Sequence, residues 1–407
     1  MKKSIPTLSL IKNLGLICAS VIITLILAEM AVRVFWQMDT GETWRMPAPH
    51  GQPYLVNIPQ SKTFHRFQDF STTYLINSLG NRGPEPGNEP VQVVFLGDSF
   101  TFGLFIDEQD TSVGQVRRIS AESYGNGQVG VVNAAIAGSG IAEWIAYLQD
   151  YGRRLKPGIV VANLNYVSLS RSYKHPLFML DCDREILLRS NPPIIDNGVP
   201  WPPFRKYDDQ KISLKRWLND HSQLFMTVRK GYSEVKKSID GKKSSDSKVN
   251  SANTEKSTED KMGSNSEEDA GKAWPNPPFE SNAINQPELK CFVKASFKAL
   301  RDSAKMAGGK LIVIDIGYRW QTKLARELSI DLVALDFVPK TLEELGIPYV
   351  NLTDQLYQMH QTGMQITIPG DGHPTKDGYL AIARGSWPAI KHQIDLLRTD
   401  KNVAGDN

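Results

Sequence analysis

At 407 residues, with 41% hydrophobic and 22% charged residues, the chain has material for two or three domains, or for one α/β domain carrying insertions. Lysine and arginine exceed aspartate and glutamate only by 47 to 44, and no basic stripe with interleaved aromatics is present, so nucleic acid is excluded as an expected partner. Three scattered cysteines make neither a disulfide-dense scaffold nor a zinc site, and no metal-ligand spacing occurs, so no metal or cofactor is expected.

Lys2, Lys3 and Lys12 precede a run without charge from Leu14 to Ala28. Alone it is short of the roughly 20 residues a membrane crossing needs. Adding Met30 to Trp36, with Glu29 and Arg33 near the interface and Trp36 as an aromatic anchor, completes a single span with its N-terminus in the cytoplasm. A cleaved signal peptide is the rival reading and needs small residues one and three positions before the cut. Ala28 is preceded two back by Ile26, and Ala31 by Glu29, so residues 1–38 are expected to stay as an anchor, with the rest of the chain extracytoplasmic. Cys18 lies inside the run and reads as a membrane-helix residue.

Residues 39–90 are rich in Pro, Gly and aromatics and predict a tether followed by a lead-in that packs on a sheet. The lead-in ends in Leu75-Ile76-Asn77-Ser78-Leu79-Gly80-Asn81-Arg82-Gly83, which on chemistry alone is equally a surface turn built on Asn and Gly. Val91 to Leu96 is an apolar run, the pattern of a strand buried on both faces, and it leads into Gly97-Asp98-Ser99. A serine at the carboxyl end of such a strand sits where open α/β sheets hold ligands. These three residues also favour turns for local reasons alone. Ser112 to Glu122 predicts a helix, Val129 to Ala134 a strand, Ile141 to Leu155 a helix and Ile159 to Leu164 a strand. This alternation argues for a parallel sheet covered by helices. Past the second strand, Gly138 is either a glycine placed for positive φ or a backbone N–H offered to an anion. Asn163 and Asn165 close the third strand.

From Arg171 the alternation stops. Residues 171–286 read as an insertion: a Pro- and aromatic-rich excursion to Trp217, a short amphipathic helix over Trp217 to Tyr232, and a polar segment from Ser233 to Lys272 that cannot bury enough surface to order itself. The sheet resumes with a helix from Glu288 to Ala307, a strand Leu311 to Ile316, helices over Arg319 to Leu328 and Thr341 to Leu345, and a fifth strand Ile347 to Leu352. Thr353 or Asp354 is expected to cap a helix reaching Gln361, and Thr375 one from Lys376 to Leu397, leaving 399–407 as a tail. Before that last helix stands Pro369-Gly370-Asp371-Gly372-His373-Pro374. Of the seven histidines, only His373 has a carboxylate two residues away in a Gly/Pro-rich loop that abuts a helix.

These stretches resemble the motif blocks of the SGNH/GDSL hydrolases. Gly97-Asp98-Ser99 matches the first block, Asn133 to Gly140 the second, and Asp371-Gly372-His373 the last, in an Asp-x-His spacing shorter than the commoner Asp-x-x-His. The stretch ending in Arg82-Gly83 is similar to the lead-in of the membrane-anchored bacterial branch. The third block departs: ten residues after Pro157 stand Val167 and Ser168, where the family has an Asn-Asp pair. The resemblance covers Leu75 to Ser170 and Pro287 to Leu397. It implies a flavodoxin-like three-layer α/β/α domain with a parallel sheet of about five strands, in two parts, 91–170 and 287–398. It implies Ser99 as nucleophile, His373 as base, Asp371 as its orienting carboxylate, and an oxyanion hole from the Ser99 and Gly138 N–H groups; Asn165, two residues before the family's Asn position and of the same strand parity, is expected to join them, against a hole without a third donor.

With those roles His373 takes the proton from Ser99 as it attacks an ester carbonyl, and Asp371 holds the imidazole tautomer. The expected activity is acyl-ester hydrolysis on an O-acylated glycan or lipid of the cell envelope. Transfer of the acyl group to an envelope polysaccharide shares the covalent half-reaction and stays open, and so does a catalytically weak domain that binds a polysaccharide or envelope protein partners. Cys182 and Cys291 flank the polar segment of the insertion in an oxidising compartment and are expected to form a disulfide at its base, against the alternative of two buried thiols.

Overall fold

A computed structural model describes residues 7–35, 44–67, 70–165, 168–169, 171–194, 286–316, 337–369 and 371–405, with short pieces between 218 and 232. The chain divides into two compact units. The smaller combines residues 1–43, 65–71 and 205–263, and its described part is dominated by helix α1 (Thr7–Phe35). Within α1, Lys12 to Val34 is long and apolar enough to cross a membrane. Near its end Glu29 pairs with Arg33 one turn on, and its carboxylate accepts hydrogen bonds from Ser222 Oγ and Leu224 N. Cys18 is a free, exposed cysteine on this helix.

The larger unit opens with a lead-in in which β1 (Arg45–Pro47) pairs antiparallel with β2 (Leu55–Asn57); β3 (Lys62–Phe67) and β4 (Phe70–Leu75), whose residues 65–71 belong to the smaller unit, form a second two-stranded sheet. The α/β core follows: β5 (Val91–Leu96), a single helical turn α2 (Ser99–Phe102), α3 (Ser112–Tyr124), β6 (Val129–Asn133), α4 (Ile141–Tyr151) and β7 (Ile159–Leu164). A hairpin of β8 (Phe178–Asp181) and β9 (Ile186–Arg189) interrupts it. It continues with α5 (Gln286–Ala307), β10 (Lys310–Asp315), α6 (Phe337–Glu344), β11 (Tyr349–Asn351), α7 (Thr353–Gln361) and α8 (Lys376–Gly405).

The central sheet has the order β11-β10-β7-β5-β6 with every pair parallel. In chain order its strands run 2-1-3-4-5, the flavodoxin-like arrangement expected from the sequence. All residues of β5 and β7 are buried, which is why five of the six residues in each are apolar. Val93, Phe95, Ile159, Val161, Ile312 and Ile314 form one core cluster with Val113 and Val116 of α3, Leu356 of α7, and Ile382, Ile390 and Ile394 of α8. The opposite helical layer is α4 and α5, which pack on each other. Each such fully buried aliphatic side chain contributes roughly 1.5–3 kcal/mol relative to exposure.

Several expectations shift in detail. Trp44 is wholly buried, and Asn81 and Arg82 are almost so, which removes the surface-turn reading of the lead-in. Helix α8 continues to Gly405 through what was expected to be a tail, carrying Pro388 within it. Thr375 Oγ1 does accept from Gly378 N at 3.2 Å as its cap. Thr353 is the first residue of α7, not its cap, because Leu352 occupies the cap position. Cys182 and Cys291 are bonded, with Cα atoms 5.7 Å apart, and join the β8–β9 hairpin to α5. The expected polar segment 233–272, the helix over 319–328 and most of the excursion after residue 194 lie outside the described residues. Of the helix expected over 217–232 only separate pieces are described.

Candidate active site

The nucleophile candidate stands where β5 ends. Its last residue, Leu96, passes into Gly97, where a Cβ would meet Thr101 Oγ1 at 2.0 Å, so the turn admits only glycine. Asp98 then caps α2 by accepting from Phe100 N at 3.0 Å, and Ser99 is the first residue of that turn. Ser99 is buried, and its Oγ lies 2.8 Å from His373 Nε2. His373 Nδ1 hydrogen-bonds Asp371 Oδ1, and the same oxygen accepts from His373 N at 3.0 Å. The structure therefore brings Ser99, His373 and Asp371 into one continuous relay, from residues 274 positions apart in the chain. The Asp-x-His spacing suffices because the carboxylate folds back onto both the backbone and the ring of the histidine.

Burial by itself pushes the Asp371 carboxyl up, but the hydrogen bond and charge of His373 together with the His373 N–H hold it below the usual carboxylate value. The imidazole lies against Phe100, with ring centroids 4.8 Å apart, and edge-on to Phe105 at 5.4 Å. These two rings flank the acid–base side of the site. Phe105 has φ of 65°, and its N–H donates to Tyr74 Oη at 3.0 Å.

The segment that carries both phenylalanines is clamped by Arg82. Its guanidinium is fully buried and donates to the carbonyls of Phe102 at 2.6 Å, Gly103 and Ile106. It lies 4.6 Å from the Tyr74 ring centroid and 4.9 Å from that of Phe102, and Trp44 stacks on Phe102 at 5.8 Å. Asn133, at the end of β6, donates to the carbonyl of Thr101 at 3.1 Å and accepts Arg82 N at its own carbonyl at 2.9 Å. The turn after the serine is thus held by a cation and an amide from the lead-in and the neighbouring strand. Arg82 was visible in sequence only as part of a lead-in pattern, with nothing to say that it is buried.

The residues expected to form an oxyanion hole divide. Gly138 lies in a loop whose Ile136 N and Ser139 Oγ both donate to Gly97 O, at 3.0 and 3.1 Å, immediately before the nucleophile turn. No acceptor for the Ser99 or the Gly138 N–H lies among the described residues. Asn165 is used differently from the expectation: its amide nitrogen donates to Asp98 Oδ2 at 2.8 Å, and its carbonyl accepts from Ser168 N and Oγ at 3.1 Å each. Being two residues short of the family's position, it meets the carboxylate next to the nucleophile. Asn163, buried on β7, has no side-chain partner among the described residues.

Around that carboxylate lies a charged cluster absent from the sequence reading. Arg171 Nη1 pairs with Asp98 Oδ2 at 3.3 Å. Glu143 Oε2 accepts from Gly140 N at 2.5 Å, and burial pushes its carboxyl up to about 7 despite that bond and the neighbouring Arg171 and Arg45. Arg45, from β1, donates to Ala137 O. Burial, and then Arg171, lower its guanidinium to about 10, with Glu143 opposing, so it remains a cation at neutral pH. Among the described residues no group of His, Cys, Asp and Glu has the arrangement to hold a metal ion.

No protein-family model and no curated protein matches this chain. Solved structures similar to it include a single-substitution variant of the acetyl xylan esterase Axe2 from Geobacillus stearothermophilus, at 12% identity and a TM-score of 0.36, covering 75% of this chain and 95% of that one. TesA is similar at 13% identity and a TM-score of 0.35 over 74% of this chain and 99% of TesA. A member of the lipolytic protein G-D-S-L family from Veillonella parvula DSM 2008 is similar at 12% and 0.32, over 73% and 96%. In its Gly-Asp-Ser turn, its Gly138 loop and its Asp-x-His loop, the chain resembles the SGNH/GDSL hydrolases.

Proposed function

We propose that this chain is a serine-dependent acyl-ester hydrolase acting outside the cytoplasm. The observation that carries the reading is the relay Ser99 Oγ to His373 Nε2 at 2.8 Å, with Asp371 on the other ring nitrogen. In the first half-reaction Ser99 Oγ forms a bond to the ester carbonyl carbon while its proton passes to Nε2. The carbonyl electron pair moves onto oxygen, where the Ser99 and Gly138 N–H groups receive the charge. As the intermediate collapses, the ester C–O bond breaks and the leaving alkoxide takes the proton from Nε2. Water then repeats the sequence on the acyl-serine. Asn165 serves Asp98 in this reading, so the oxyanion hole has two backbone donors.

The extracytoplasmic location is supported by the apolar helix behind Lys2, Lys3 and Lys12, and by the Cys182–Cys291 bond, which an oxidising compartment sustains. A domain tethered at that surface meets O-acylated envelope glycans and lipids, and these are the proposed substrate class.

The test is labelling of the full chain, in detergent, with a fluorophosphonate probe, followed by peptide mapping. Phosphonylation of Ser99, with fluoride as the leaving group, is the expected result, and it should vanish in His373→Ala. Unlabelled wild-type protein would sink the hydrolase reading and leave a domain that only binds. If Ser99 is labelled and acyl-enzyme forms, but release requires an added sugar hydroxyl and not water, the activity is transfer.

A further inference from the structure

The reading of Ser99 as nucleophile makes the Gly138 N–H an oxyanion donor, and what keeps that N–H in position is a separate question. Gly138 has φ of 85°, a region in which glycine moves freely between peptide orientations. A flip of the Ala137–Gly138 peptide would turn the N–H away and bring a carbonyl oxygen, the wrong pole, toward the developing anion. Something must hold this peptide.

No cis peptide bond occurs among the described residues, so the Ala137 carbonyl and the Gly138 N–H point in opposite directions across one plane. Arg45 Nη1 donates to that carbonyl, and a Cβ on Gly138 would stand 2.9 Å from the same nitrogen. Arg45 is carried there by β1, next to the fully buried Trp44, whose ring centroid lies 5.7 Å from the guanidinium carbon. Ile136 N and Ser139 Oγ meanwhile fasten the loop to Gly97 O, beside the nucleophile turn. With the carbonyl gripped by a cation on one side and the loop tied to the serine strand on the other, the N–H faces away from Arg45. A charge-assisted bond to the carbonyl also polarises the amide and makes its N–H a stronger donor.

We propose that Arg45 is a positioning residue that pins the Ala137–Gly138 peptide, so that the Gly138 N–H is presented to the oxyanion. It acts through the peptide and does not touch the reacting atoms. Its loss should therefore weaken transition-state stabilisation without weakening ground-state binding.

The experiment compares wild type, Arg45→Met and Arg45→Lys as full chains in detergent, with p-nitrophenyl acetate as the neutral ester and a fluorophosphonate as the serine probe. Arg45→Met should lower kcat about 10²–10³-fold, the effect of losing one oxyanion donor, with KM within about twofold of wild type. Labelling of Ser99 should slow in parallel. Arg45→Lys, whose ammonium still donates to one carbonyl, should recover most of the lost kcat. A role limited to packing would lower the melting temperature and leave kcat at 25 °C unchanged, and that result overturns the proposal. So does a rise in KM at constant kcat, which would make Arg45 a substrate-binding group. If Arg45→Met does not fold, Arg45→Gln keeps a neutral donor and should fall between wild type and a donor-less site; wild-type kcat in both Gln and Lys variants overturns the electrostatic part. Wild-type protein that neither labels nor hydrolyses the ester overturns the Ser99 reading itself, and the Arg45 role with it.

Discussion

The two halves of the relay are built in contrasting ways. The serine turn is held from afar: Arg82 from the lead-in grips the carbonyls of Phe102, Gly103 and Ile106, and Asn133 from β6 grips Thr101. The histidine loop is held locally. Ile368 N donates to His373 O at 2.8 Å, Gly372 N to Ile368 O at 3.0 Å, and Thr367 bridges Pro374, all within a few residues. The Asp371–His373 pair is thus specified by a short stretch of sequence, whereas the position of Ser99 depends on packing that the chain assembles only when folded. Substitutions on the two sides should accordingly differ in whether they cost activity alone or activity and stability together.

The largest effect expected is loss of the relay itself. Ser99→Ala and His373→Ala should each reduce kcat by about 10⁶-fold, and the double variant by little more, because the residues act as a unit. Circular dichroism should be unchanged. Retention of most activity by Ser99→Ala would break the assignment. Next, Asp371→Asn should lower kcat by about 10⁴-fold, since the amide favours the wrong imidazole tautomer. Its melting temperature should fall by less than that of Arg82→Met, as expected for the locally built side.

Arg82→Met tests the other side. It leaves three buried carbonyls without their cation, so stability should drop by about 3 kcal/mol or more, with kcat falling as the Phe100–Phe105 segment loosens. Thermal melting beside kcat measured well below the transition separates the two effects. A melting temperature lowered more by Asp371→Asn than by Arg82→Met would invert the comparison.

The smallest effect is a difference in the sign of pH dependence. Glu143, behind the Gly138 loop, has its carboxyl raised from 4.5 to about 7 by burial, so the folded state holds a proton that the unfolded chain has lost. Stability should therefore fall as pH rises between those values, by at most about 1.4 kcal/mol per pH unit, and level off above. Glu143→Gln should remove that slope. Asp371 behaves oppositely: its carboxyl lies below 3.8 in the folded state, so its contribution is complete above that value and is lost only as pH falls through the folded one. Melting curves from pH 4 to pH 8 that show no change of slope in Glu143→Gln would remove the buried-carboxyl account.

Much of this molecule was determined by sequence alone. The runs at Val91 to Leu96 and Ile159 to Leu164 have the pattern of strands buried on both faces, and the alternation of strands and helices argued for a parallel sheet. The Gly-Asp-Ser turn and the Asp-Gly-His loop were legible as short motifs, one at a strand end and one before a helix, through their resemblance to the SGNH/GDSL blocks; local chemistry alone left each equally a plain turn or loop. The pairing of Cys182 with Cys291 was legible from the compartment and from their places beside the insertion. Tertiary structure decided the rest. Whether Arg82 is exposed or buried, which carbonyl Arg45 reaches, and whether Asn165 faces the oxyanion or Asp98 depend on contacts between residues far apart in the chain. Hydrophobic periodicity records which face of a strand or helix is covered, but it carries no information on where a long polar side chain ends, because that is set by whichever buried acceptors the folded chain leaves within reach.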